Sequence, residues 1–247
     1  MIKIVIFTAL LISSSVAQEI YATFNVKADR EANLVLSATG LVKKIHVDVG
    51  DSVKKGEILL ELDSDDLKTS VTLAKKKIEL ASVNLRYAKK AYERFSKVKE
   101  VVDAGEFDKY ASAYERAKID LSNAKANLAY KRALLDKTRL KAPFSGVIAS
   151  KDIEIGDGVS AAKMGTLFRL ITPDKQKLVV LIDEKYWQKL KVGQSFFYSV
   201  DGKKYKMESK VSKIYPSIDP KRRAITIEMP TKGLKVGLFG QGKLKVD

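Results

Sequence analysis

The sequence predicts an α+β fold, elongated and multidomain: a small β-domain split by an inserted antiparallel α-helical coiled-coil hairpin, followed by a small β-barrel. Three observations carry this. A motif occurs twice, 106 residues apart: Gly40-Leu-Val-Lys-Lys-Ile-His-Val-Asp-Val-Gly-Asp-Ser-Val53 and Gly146-Val-Ile-Ala-Ser-Lys-Asp-Ile-Glu-Ile-Gly-Asp-Gly-Val159. Between the copies lies a stretch of heptad spacing. After the second copy come short segments of β-formers separated by turn residues.

In chain order, residues 1–17 read as a signal peptide. Met1-Ile-Lys3 is a basic start, Ile4 to Ile12 an apolar run too short to span a bilayer, and Ser15-Val-Ala17 a small-x-small cleavage site before Gln18. The exported chain, cleaved after Ala17, is expected in the periplasm. Residues 19–37 are strand-like. Residues 38–63 read as three or four short strands with Val42, Ile45, Val47, Val49 and Val53 as core and Gly40, Gly50 and Gly56 at turns.

At Asp63-Ser-Asp-Asp66 the period changes, and these side chains suit a helix start. A divalent-ion site is the sharper alternative for the carboxylates. Leu67, Val71, Ala74, Ile78, Ala81, Leu85, Ala88, Tyr92 and Phe95 then alternate steps of four and three, a coiled-coil seam. A second ladder runs Tyr110, Tyr114, Ala117, Leu121, Ala124, Leu128 and Leu135, with Lys131 out of pattern. Val102-Asp-Ala-Gly-Glu106 breaks the helix, and Asp108 is expected to cap the second arm. About 35 residues per arm gives roughly 50 Å of reach. Pro143 ends the insertion. The expected domains are 38–63 plus 142–172, 64–141 for the hairpin, and 18–37 plus 173–247 for the barrel, which includes a short amphipathic helix from Glu184 to Leu190.

The 247 residues contain no cysteine and one histidine, His46, read as a surface or half-buried residue. Ser-His-Asp, Cys-His and histidine-based metal sites therefore lack support, and no cofactor is expected. Gly237-Leu-Phe-Gly-Gln-Gly242 has the wrong spacing for a dinucleotide turn and is read as turn and bulge chemistry. The net charge of +16 is spread along the chain, a solvated basic surface that can face anionic headgroups or an acidic partner rather than nucleic acid. An enzyme is not expected.

The half-motifs resemble those of lipoyl and biotinyl carrier domains. The joint that carries a modified lysine there is here filled by the helical insertion, and Lys163-Met164 falls inside the second half. The order of parts, with Leu140-Lys-Ala-Pro-Phe-Ser-Gly-Val-Ile148 and Leu234-Lys-Val-Gly-Leu-Phe-Gly240, resembles the periplasmic adaptor subunits of tripartite efflux pumps, the HlyD-like membrane fusion proteins. The resemblance implies a lipoyl-like domain, a non-catalytic scaffold, a ring of about six copies (homo-oligomer), an inner-membrane transporter partner and an outer-membrane channel met by the hairpin tip. An RND-type transporter is favoured over an ABC-type. A membrane-proximal domain is expected to be absent or vestigial, and metal-efflux specialisation lacks the N-terminal methionines that would support it. The family's tip pattern fits two registers: Lys97, Val101 and Asp108, preferred, or Arg94, Val98 and Gly105. Alternatives are a secreted structural or interaction coiled-coil protein without a transporter and, behind it, a lipoyl or biotinyl carrier.

Overall fold

The computed structural model describes residues 18–98, 103–162, 165–200 and 207–246. Its strands are β1 (Gln18–Ala28), β2 (Glu31–Leu34), β3 (Gly40–Ile45), β4 (Ser52–Val53) and β5 (Ile58–Leu62), followed by helices α1 (Asp65–Ser96) and α2 (Ala104–Asp136). Then come β6 (Arg139–Lys141), β7 (Gly146–Lys151), β8 (Gly158–Val159), β9 (Phe168–Ile171) and β10 (Gln176–Asp183). A 3-10 helix, Glu184–Lys189, leads to β11 (Ser195–Ser199), β12 (Met207–Lys210), β13 (Lys213–Asp219), β14 (Ala224–Thr231) and β15 (Phe239–Val246). The chain divides into two compact units, residues 32–170 and the remainder.

In the first unit two four-stranded sheets, β2-β9-β7-β4 and β6-β5-β3-β8, enclose one core. The repeated motifs interlock head to tail. Gly40 pairs with Val159 and Leu41 with Gly158, while Ser52 pairs with Val147 and Val53 with Gly146, so the start of each copy lies against the end of the other. The turns match bond for bond. Gly50 N–H donates to Ile148 O and Gly156 N–H to Val42 O, both at 2.9 Å. Both glycines hold φ near the left-handed region, at 94° and 93°, which a Cβ would strain. The aspartates that follow turn back on the chain: Asp51 Oδ2 accepts from Asp48 N–H at 2.7 Å and Asp157 Oδ2 from Glu154 N–H at 2.9 Å.

Equivalent residues Val42 and Ile148, Val47 and Ile153, and Val53 and Val159 all enter the core beside Leu59, Leu60 and Phe168. Val49, expected there, is 56% exposed, and its counterpart Ile155 is 66% exposed. Alternation stops at Asp48, where the turn begins, so the next apolar side chain faces outward. Two expected boundaries also shift. Residues 31–37 were assigned to the barrel, but β2 joins β9, and Leu34 and Leu36 are buried in the sandwich core. Residues 137–141 were assigned to the hairpin. Instead α2 stops at Asp136, where Thr138 Oγ1 donates to Leu135 O at 2.7 Å, and β6 pairs with β5.

The second unit is a seven-stranded curled sheet, ordered β12-β11-β15-β1-β10-β14-β13. The short link from β12 to β13 joins the two edges, and its Ser212 N–H donates to Glu228 O on β14 at 2.9 Å, closing the barrel. Phe24 meets both Phe196 and Tyr198 edge-on at its centre, 5.4 Å from the Tyr198 ring, while Phe196 and Tyr198 stack on each other. The buried Tyr198 hydroxyl is satisfied by Thr231 Oγ1 at 2.8 Å. Gly240 and Gly242 are not in a turn or bulge as expected. They sit in regular register on β15, opposite Phe24 and Ala22 of β1, in the space that Phe24 and Phe196 need.

Candidate functional site

The site is the helical hairpin, built on two adjacent strands: α1 leaves from the end of β5 and α2 returns into β6. Its root is held by charge. Lys43 Nζ reaches Asp63 at 3.1 Å and Asp65 at 2.5 Å, and Lys68 also reaches Asp65 at 2.9 Å. Two of the three carboxylates weighed as an ion site, Asp63 and Asp65, are therefore lysine-bound, and among the described residues no three His, Cys, Asp or Glu converge to hold a metal. Ser64, at the N-cap position, makes no side-chain capping bond; its carbonyl accepts from Lys68 N–H at 2.9 Å. His46 Nε2 lies 3.0 Å from Glu61 Oε1, and Arg139 Nε donates to the other oxygen of the same carboxylate at 3.2 Å. This clasp joins β5 to β6, and the His46 hydrogen bond chiefly holds the Glu61 carboxyl below the usual range, with Arg139 adding to it.

Hydrogen bonds from Lys43, then Lys68, hold the Asp65 carboxyl down at about 2. A carboxyl depressed on folding contributes stability above its unfolded value, near 3.8, and that contribution is lost as pH falls through the folded value. The expected result is a root intact at pH 4 and loosening between about pH 4 and 2. Lys43→Gln should move the Asp65 midpoint up toward 3.8. Carboxyl-carbon NMR titration reads both; a midpoint unmoved by the substitution would contradict the assignment.

The arms span 32 and 33 residues, about 48 Å at 1.5 Å per residue. Val71, Ala74 and Leu128 are buried in the seam, with Ile78 and Leu135 packed against them. Nearer the tip the seam becomes aromatic. Tyr92 stacks on Tyr114 at 5.3 Å and meets Phe107 at 5.7 Å, and Phe95 stacks on Tyr110 at 3.8 Å.

The expected tip residues divide as follows. Arg94 is in the last turn of α1, Lys97 is its C-cap, and Val98, 43% exposed, donates its N–H to Phe95 O. Val101 lies outside the described residues. Asp108 does not cap α2, because the helix already begins at Ala104. The N-cap is Asp103, whose carboxylate accepts from Gly105 N–H at 2.9 Å, which places Gly105 within the first turn and Asp108 beyond it. The sequence carried a signal for this: Asp103-Ala-Gly-Glu106 has capping-box spacing.

A second stripe went unread in the sequence. Leu73, Leu80 and Tyr87 recur every seven residues on α1, outside the seam, and are 59%, 64% and 63% exposed. On one side of the seam, its own Ala88 and Ala117 together with Ala113 leave a groove of about 380 Å³ between the arms, flanked by Asn84, Lys109 and Arg116. A further helix laid along this face would meet apolar knobs at heptad spacing and a small-residue groove to receive its own.

Interlocked half-motifs carrying a two-helix hairpin, with a curled barrel as a second unit, define the architecture of membrane fusion proteins. The chain belongs to the CzcB-like barrel-sandwich hybrid domain family, whose model matches residues 30–170. It is 24% identical over 223 residues to the cation efflux system protein CzcB of Alcaligenes sp. (strain CT14), covering 85% of this chain and 42% of that protein. The cobalt-zinc-cadmium resistance protein CzcB of Cupriavidus metallidurans matches at the same identity and coverage. This chain thus spans about two-fifths of the length of those relatives. Among solved structures, MacA from Actinobacillus actinomycetemcomitans superposes with a TM-score of 0.79 at 18% identity, covering 94% of this chain and 79% of that one. The membrane fusion protein Spr0693 from Streptococcus pneumoniae gives 0.74 at 16%, covering 92% and 99%. At these identities the likeness is one of fold.

Proposed function

We propose that this protein is a periplasmic adaptor that joins an inner-membrane transporter of the RND type to an outer-membrane channel for efflux, acting as a scaffold rather than an enzyme. The observation that carries the reading is the unpartnered stripe Leu73, Leu80 and Tyr87 on a hairpin whose own seam is already filled. Exposed apolar side chains at heptad spacing suit further helices, either a channel's hairpins or neighbouring copies in a ring. Matches to CzcB proteins named for cation efflux and resistance support an export role. In this reading the tip meets the channel through Lys97, Val101 and Asp108 or, in the other register, through Arg94, Val98 and Gly105, and the transporter selects the cargo.

Photo-crosslinking from Val98 and from Asp108 in cells tests the reading. The expected product is an adduct with an outer-membrane channel protein. Capture of neighbouring copies alone would remove the bridging role and favour a structural coiled-coil protein.

A further inference from the structure

One end of the barrel carries chemistry that the adaptor reading does not use. The register pairs Gln18 with Val246, Asp183 with Ala224, Asp219 with Ala224 and Phe196 with Leu244, so the 3-10 helix 184–189, the turn that follows it and the β13–β14 hairpin gather at that end. Direct bonds tie them together: Glu184 N–H donates to Arg223 O at 3.0 Å, and the Arg223 guanidinium is 2.5 Å from the Glu184 carboxylate.

The 3-10 helix exposes Trp187, the only tryptophan in the chain, at 58%, and the next turn exposes Val192 at 65%. Lysines surround them. Asp183, Glu184 and Asp219 are engaged by Lys185, Arg223 and Arg222. Lys189, Lys191 and Lys221 have no carboxylate partner among the described residues, and Lys189 instead donates to Gln18 Oε1 at 2.5 Å. The end therefore presents uncompensated positive charge around one large amphipathic ring.

We infer that this end of the barrel binds the anionic phospholipid surface of a membrane, with Trp187 at the headgroup level and Lys189, Lys191 and Lys221 on lipid phosphates. Tryptophan favours the membrane–water interface, and lysines near an anionic leaflet each add attraction. A protein partner fits less well, because lysine is depleted at protein–protein interfaces. The choice of the inner membrane rests on the adaptor reading; the lipid chemistry does not.

The test uses the exported form, beginning at Gln18, with vesicles of phosphatidylcholine alone or mixed with phosphatidylglycerol. Because Trp187 is the sole tryptophan, its fluorescence reports this site alone. Expected are a blue shift and quenching by brominated lipid with the anionic vesicles only, and a loss of affinity of roughly fivefold for each of Lys189→Gln and Lys221→Gln at low salt. Lys75→Gln/Lys76→Gln on the hairpin should change nothing. Absence of binding, equal binding to both vesicle types, or binding with Trp187 still in water would overturn the inference. So would protection of Trp187 only when a transporter is present in the membrane, which would make the occupant a protein. No channel or transporter enters the vesicle assay, so its failure leaves the bridging reading standing.

Discussion

Gly242→Ala is expected to destabilise the barrel by about 2–3 kcal/mol, and Gly242→Val by more. A Cβ on Gly242 would lie 2.7 Å from Phe197 O and overlap the Phe196 ring, and one on Gly240 would lie 2.6 Å from Ser199 O and overlap Phe24. A ring tip can swing aside at modest cost. A backbone carbonyl in a paired strand cannot, because β11 and β15 share a ladder through these residues. Moving Phe196 would also disturb its packing on Phe24 and Tyr198 at the barrel centre. Gly158 on β8, with no atom within 4 Å of a built Cβ and no positive φ, is the matched control, and its alanine variant should stay within about 0.5 kcal/mol. Chemical denaturation followed by Trp187 reads the barrel variants, and followed by circular dichroism it reads Gly158→Ala in the other unit. Equal stability of Gly242→Ala and the parent would show that the sheet yields at β11.

The second large effect is functional. The double variant Leu80→Asp/Tyr87→Asp is expected to abolish efflux while leaving the hairpin folded. Both side chains are more than half exposed, and substitutions at such positions shift stability by only about 0.5 kcal/mol. Two carboxylates on the stripe, however, would have to be desolvated against any helix laid along it, at a cost of several kcal/mol each. Helical circular dichroism and thermal melting should match the parent, while resistance of cells carrying the variant falls to that of cells lacking the protein. Retained efflux would show that the stripe meets only solvent.

Much of this was legible in the sequence because the two strongest periods act locally. The Gly-Asp turns declare themselves through a positive φ and a side chain that bonds three residues back, so the repeat could be read without knowing that its copies interlock. The seam could be read because a four-three ladder has one structural solution. What escaped depends on neighbours distant in sequence. Gly240 and Gly242 look like turn residues until Phe24 and Phe196 arrive from other strands. Residues 31–37 look like more of β1 until β9 pairs with β2. Asp108 looks like the cap if residues 102–106 are one continuous break, whereas α2 begins inside that segment, at Ala104, with Asp103 as its N-cap. The stripe at Leu73, Leu80 and Tyr87 is hidden in the sequence by the denser four-three ladder that runs alongside it.

The central claim is bridging, and co-isolation tests it most directly. Affinity purification of a tagged inner-membrane transporter from crosslinked cells should recover the outer-membrane channel when this protein is present. The channel should be lost when the protein is deleted or carries Leu80→Asp/Tyr87→Asp. Recovery of the channel in equal amount without the protein, or its absence from the complex with the intact protein, would contradict the account.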